Sequence, residues 1–123
     1  MTKKFNILLS DRNHNIREFL RRELVKEGYR VDEAKDAWEI LKLVLAEKPP
    51  DLLILDPELP YVRGLGIFEK LELRKPSLPV VIHTFDIEEA KSLPLKFTVA
   101  IVEKKGNNID RIKSVIADLL RKS

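Results

Sequence analysis

The chain has 123 residues, 44% hydrophobic and 35% charged, with 23 lysines and arginines against 20 acids for a net charge of +3. That suits one compact domain with a sizeable core and is too little for two comfortable ones. The absence of cysteine excludes disulfides, zinc thiolate sites and cysteine nucleophiles, and fits a cytoplasmic location.

Strand-like and helix-like stretches alternate from end to end. Residues 5–9 are apolar and β-prone. Across residues 13–27, Ile16, Phe19, Leu20 and Leu24 recur at the spacing of one helix face, and Gly28 follows where a helix C-cap is expected. Residues 29–34 form a short strand. Asp36 is the expected N-cap of a helix carrying Trp38, Leu41, Val44 and Leu45, ended by Pro49 and Pro50.

Leu52 to Leu55 are four consecutive apolar residues between prolines, too short for a buried helix and consistent with a strand covered on both faces. Pro57 holds Asp56 out of the helical region, so this carboxylate stays extended at the strand's carboxyl end. A loop to Gly64 leads to a helix over residues 65–73. Val80 to Thr84 is a fourth strand, and a short helix over residues 87–93 stops at Pro94. Residues 97–102 form a fifth strand. Asn107 or Asn108 caps a last helix whose Ile109, Ile112, Val115, Ile116, Leu119 and Leu120 make the cleanest apolar stripe in the chain.

Five strand-then-helix repeats call for an α/β fold: a parallel sheet, right-handed crossovers and helices on both faces, in one domain spanning residues 1–123. Ligands bind such sheets outside the carboxyl ends of the strands. There the sequence collects Ser10 and Asp11, then Asp56, Thr84 and Lys104. Two carboxylates, a hydroxyl and an ammonium in one cleft suit phosphoryl chemistry. The acids repel each other unless a hard divalent cation joins them, and oxygen ligands favour Mg2+. A carboxylate can accept a phosphoryl group as an acyl phosphate. Thr84 and Lys104 would hold its remaining oxygens.

With these residues in order, the chain resembles the receiver domains of two-component response regulators. The resemblance rests on Ile7 to Asp11, Asp51 to Asp56 with Leu59, Pro60 and Gly64, Val81 to Thr84, and Val102 to Lys104. It implies the flavodoxin-like, doubly wound (βα)5 fold with a five-stranded sheet of order 2-1-3-4-5. It further implies Asp56 as phosphoacceptor, Asp11 and Asp56 as Mg2+ ligands, and Glu58 as a ligand through its backbone carbonyl. Ser10 would reach the ion through water, Thr84 would be the hydroxyl that moves on activation, and Lys104 would pair with the phosphate.

Several positions depart from the family pattern. Ser10 stands where a second acid is usual, and Arg12 brings a positive charge that opposes a metal or assists a phosphate. Phe85 is bulky where a small residue is the rule, narrowing access for the phosphoryl group. Ile101 replaces an aromatic residue and Lys105 a proline. Strand alternation turns His83 away from the side Thr84 faces, as a buried structural histidine. His14 belongs to the surface and Trp38 to local packing.

The expected function is a non-enzymatic signalling switch that takes phosphoryl from a histidine kinase or phosphotransfer protein and signals through a downstream protein. The alternative is a degenerate pseudo-receiver that binds partners without phosphorylation. The sequence predicts a monomer or weak homodimer with no output domain, signal peptide or membrane span. Its scattered charge predicts no direct nucleic-acid binding.

Overall fold

The computed structural model describes residues 4–74, 77–93, 99–105 and 108–121. Strands β1 (Asn6–Ser10), β2 (Arg30–Ala34), β3 (Leu52–Leu55), β4 (Val80–Thr84) and β5 (Val99–Glu103) alternate with helices α1 (His14–Lys26), α2 (Ala37–Val44), α3 (Ile67–Leu73), α4 (Ile87–Lys91) and α5 (Ile109–Arg121). All strand pairings are parallel, in the order β2-β1-β3-β4-β5. This is the parallel sheet expected from the alternation, in the flavodoxin-like order that the family resemblance implies.

Period-two side-chain alternation splits the core into two layers. Leu8, Leu53, Leu55, Val80 and Ile82 pack under α2, α3 and α4. Ile7, Leu9, Leu52, Ile54, Val81 and Val102 pack under α1 and α5. Both sides of β3 are therefore covered, which is why its run is uniformly apolar.

The helix boundaries follow local chemistry. Asn13 caps α1 by accepting from the Ile16 amide at 3.0 Å. Gly28 ends it at φ 96°, where its own amide bonds Val25 O and the Tyr29 amide bonds Leu24 O, a Schellman motif. Asp36 caps α2 and Asp86 caps α4 through the Glu39 and Glu89 amides.

The expectation for α2 needs correcting. Its buried stripe is Ala37, Ile40 and Val44, while Trp38 and Leu45 are exposed. The apolar face follows the helical spacing of 37, 40 and 44, about 100° away from Trp38. The helix also ends before Ala46, short of the prolines. On α1, Phe19 stands at the edge of the stripe, 39% exposed. Pro94, Phe97 and Asn107 lie outside the described residues. Asn108 precedes α5, with its side-chain amide donating to Glu103 O at 2.8 Å.

Candidate functional site

The five residues singled out at the strand ends are all buried, with Asp11 0% and Asp56 2% exposed. Ser10 and Thr84 close β1 and β4, and Asp11, Asp56 and Lys104 directly follow β1, β3 and β5. Buried carboxylates need partners, and the backbone supplies most of them. Asp56 Oδ1 accepts from the Glu58 amide at 3.0 Å and Oδ2 from the Arg12 amide at 3.3 Å. Asp11 Oδ1 accepts from the Asn13 amide at 2.8 Å.

Lys104 joins the two acids. Its Nζ lies 3.0 Å from Asp11 Oδ2 and 3.2 Å from Asp56 Oδ2. The first contact is electrostatic only, because Asp11 Oδ2 has no aligned hydrogen bond. The loss of water on burial pushes the Asp11 carboxyl above its ordinary pKa, against the pull of the Asn13 amide and Lys104; the Asp56 charge adds to the rise.

Ser10 does different work from an acid. Its hydroxyl donates to Ile54 O at 2.7 Å and accepts from the Asp56 amide at 3.4 Å. It bridges β1 and β3 and fixes the start of the loop that Asp56 opens, leaving one lone pair for a water. Thr84 is turned toward its own loop, accepting from the Asp86 amide at 3.1 Å. It makes no described hydrogen bond to Asp56.

Arg12 occupies the mouth of the site. Its guanidinium pairs with the Glu58 carboxylate, and its Nε stands 4.0 Å from Asp56 Oδ2. Neither the composition nor the spacing of the chain pointed to this latch; it requires the loop after β3 to bring Glu58 against Arg12, beyond the end of β1. The connection from β3 to α3, which carries Glu58, is pinned by buried Leu59 and Val62 and by the Ala37 amide bonding Pro60 O. Left-handed backbone falls at Tyr61 (φ 68°) and Gly66 (φ 62°), rather than at Gly64.

Phe85 does not cover Asp56. It is 61% exposed, and Lys104 Nζ lies 5.0 Å from its ring centroid, within cation–π range. Phe85, Phe19, Ile109, Ile112, His83 and Lys104 line a cavity of ≈ 290 Å³ between α1 and α5. His83 is buried on that side, as alternation predicts. Burial, aided by the Lys104 charge and partly opposed by Asp56, lowers its pKa to about 4.

The donor set fits a hard divalent ion. Two carboxylate oxygens converge on one cation position, and one of them, Asp11 Oδ2, lacks a hydrogen bond. Among the described residues no cluster of three acidic or histidine side chains forms, so a bound ion would need main-chain oxygen and water as well. No described helix is long and apolar enough to cross a membrane.

Comparison with known proteins agrees with this geometry. The family model described as the response regulator receiver domain matches residues 7–116. The response regulator MprA of Mycobacterium ulcerans (strain Agy99) is 36% identical over 78 residues, covering 63% of this chain and 33% of MprA. The match thus spans about a third of the length of that relative. The crystal structure of NtrX from Brucella abortus superposes with a TM-score of 0.83 at 27% identity, covering 98% of this chain and 28% of NtrX. The inactive form of the regulatory domain from the repressor of iron transport regulator, RitR, gives a TM-score of 0.80 at 28% identity over 97% of both chains.

Proposed function

The chain belongs to the response regulator receiver family, and on that premise we propose that it is a phosphorylation-dependent switch with Asp56 as phosphoacceptor. A histidine kinase or phosphotransfer protein would supply the phosphoryl group, and a downstream protein would read the result. Residues 1–123 then act as one receiver domain that signals through binding and performs no turnover of its own.

The observation that carries this reading is the shared ammonium: Lys104 Nζ is within 3.2 Å of both buried carboxylates. A buried pair of acids is costly, so its presence at the ligand-binding edge of the sheet favours function over packing. Asp11, Asp56 and the Glu58 carbonyl would hold Mg2+, with Ser10 contributing only through water. The ion supplies charge neutralisation for an incoming anion.

The chain's own residues do the rest. The Glu58 and Arg12 amides hold one Asp56 oxygen each, which fixes the carboxylate plane, and the attacking oxygen would reach phosphorus through its remaining lone pair. As the acyl phosphate forms, the bond between phosphorus and the donor's leaving atom breaks. Lys104 then balances the new phosphoryl oxygens, and Thr84 exchanges its loop contacts for one of them. Arg12 must part from Glu58 to admit the donor, and its guanidinium remains beside the new dianion as a second cation.

The pseudo-receiver alternative draws on two observations: the Ser10 hydroxyl is committed between strands, and the Arg12–Glu58 pair covers the entrance. Mass spectrometry after phosphoramidate treatment with Mg2+ separates the readings. The receiver reading expects one phosphoryl group on wild type and none on Asp56→Asn. Equal labelling of both removes Asp56 from the role, and labelling of neither favours the alternative.

A further inference from the structure

Among the described residues, two buried side-chain atoms have no hydrogen-bond partner, Asp11 Oδ2 and His83 Nδ1. They face each other at 4.0 Å. That gap is too long for an N–H···O bond, normally 2.7–3.2 Å. It is also short of the roughly 4.6 Å that a water making two ordinary bonds would span. The two atoms are about 1 Å from a direct bond; Asp11 Oδ2 is compensated by the Lys104 charge alone, and His83 Nδ1 has nothing in place of the water it lost on burial.

Lys104 explains the gap. Its ammonium, 3.0 Å from Asp11 Oδ2 and 3.2 Å from Asp56 Oδ2, draws the Asp11 carboxylate toward the centre of the site. Asp11 is also the sole carboxylate at the end of β1, because Ser10 stands beside it with its proton given to Ile54 O. Its orientation therefore decides how a divalent ion would be held.

We propose that His83 is a positioning residue for Asp11: as the Nδ1–H tautomer it donates to Asp11 Oδ2 when Lys104 turns toward a phosphoryl group on Asp56. The ordering of the two events rests on the receiver reading; the tautomer does not. Burial and the Lys104 charge keep the ring neutral, so one nitrogen donates and the other accepts. A carboxylate facing Nδ1 selects the proton on that nitrogen, the way a second group fixes a metal ligand's orientation. The role reaches the ion only through Asp11.

The test is a long-range 1H–15N correlation of the histidine rings, with His14→Gln removing the other ring. Free protein is expected to show His83 protonated on Nδ1. Beryllium trifluoride with Mg2+, a phosphoryl probe, is expected to move the Nδ1 proton downfield, and Asp11→Asn to abolish that shift. His83→Val should weaken Mg2+ binding about 10-fold, read by amide shifts, while His83→Asn, whose side-chain amide restores a donor, should recover most of it. An Nε2–H tautomer in the free protein overturns the proposal whether or not the probe binds. Absence of any response to the probe overturns the ordering and the receiver reading together, leaving the tautomer to be judged on its own. A probe response with an Nδ1 proton that does not move overturns the positioning role alone.

Discussion

The β1–β3 half of the strand-end cluster and the β4–β5 half are built by different means. On the first, main-chain amides of Arg12, Asn13 and Glu58 hold the carboxylates, and the Ser10 hydroxyl stitches the strands together. On the second, Lys104 acts through charge, Thr84 bonds its own loop and His83 Nδ1 has no partner. Amide partners fix a carboxylate in place. Charge and unfilled hydrogen-bonding capacity leave the opposing groups able to exchange partners when a new anion arrives. The half proposed to receive the phosphoryl group is held by amides, and the half proposed to respond to it is held by charge.

Removing the buried cation should break this contrast most severely. Lys104→Met leaves Asp11 without its buried counter-charge and Asp56 with only the half-exposed Arg12, and should cost about 3–5 kcal/mol in urea unfolding, with Mg2+ restoring part of the loss. The next effect is pH-dependent. His83 has a folded pKa of about 4 against 6.5 unfolded, so the unfolded state binds the extra proton between those values. Its neutral form supports the fold fully above pH 6.5, and up to about 3 kcal/mol is lost as pH falls through 4. Asp11, raised above 3.8, has the opposite sign: its charge weakens the fold at neutral pH, and that penalty disappears in acid. The difference between wild type and His83→Val across pH 4–7 isolates the histidine, and no difference in slope would refute its buried, neutral state.

On the amide-held half, Ser10→Ala should cost about 1–3 kcal/mol, because Ile54 O and the Asp56 amide both lose a buried partner. The smallest effect belongs to Arg12→Ala. Stability should change by less than about 0.5 kcal/mol at this half-exposed position, while Mg2+ affinity rises a few-fold as a competing charge leaves Asp56. Weaker Mg2+ binding in that variant would show that Arg12 supports the ion site.

Much of this architecture was legible in the sequence. The run from Leu52 to Leu55 announced a doubly covered strand, and Gly28, Asp36 and Pro57 marked boundaries through local backbone chemistry. The convergence of Asp11, Asp56 and Lys104 followed from topology alone, since parallel strands place their carboxyl ends on one edge. Side-chain direction was harder to read. Trp38 looked like packing because it is large and apolar, yet the helix phase set by Ala37, Ile40 and Val44 turns it outward. Phe85 promised obstruction, but its ring lies beside Lys104 and the apolar cavity. The Arg12–Glu58 pair depends on a loop path that no periodicity encodes.

The central claim is that the carboxylates of Asp11 and Asp56 converge on one cation position, which the Lys104 ammonium fills and which a divalent ion would take over from it. A Mg2+ titration followed by amide 1H–15N shifts tests it most directly, because the Arg12, Asn13 and Glu58 amides donate to those two carboxylates. The account predicts a saturable response at these three amides, abolished by Asp11→Asn. Shifts scattered over surface acids, or three amides that stay still at millimolar Mg2+, would contradict it.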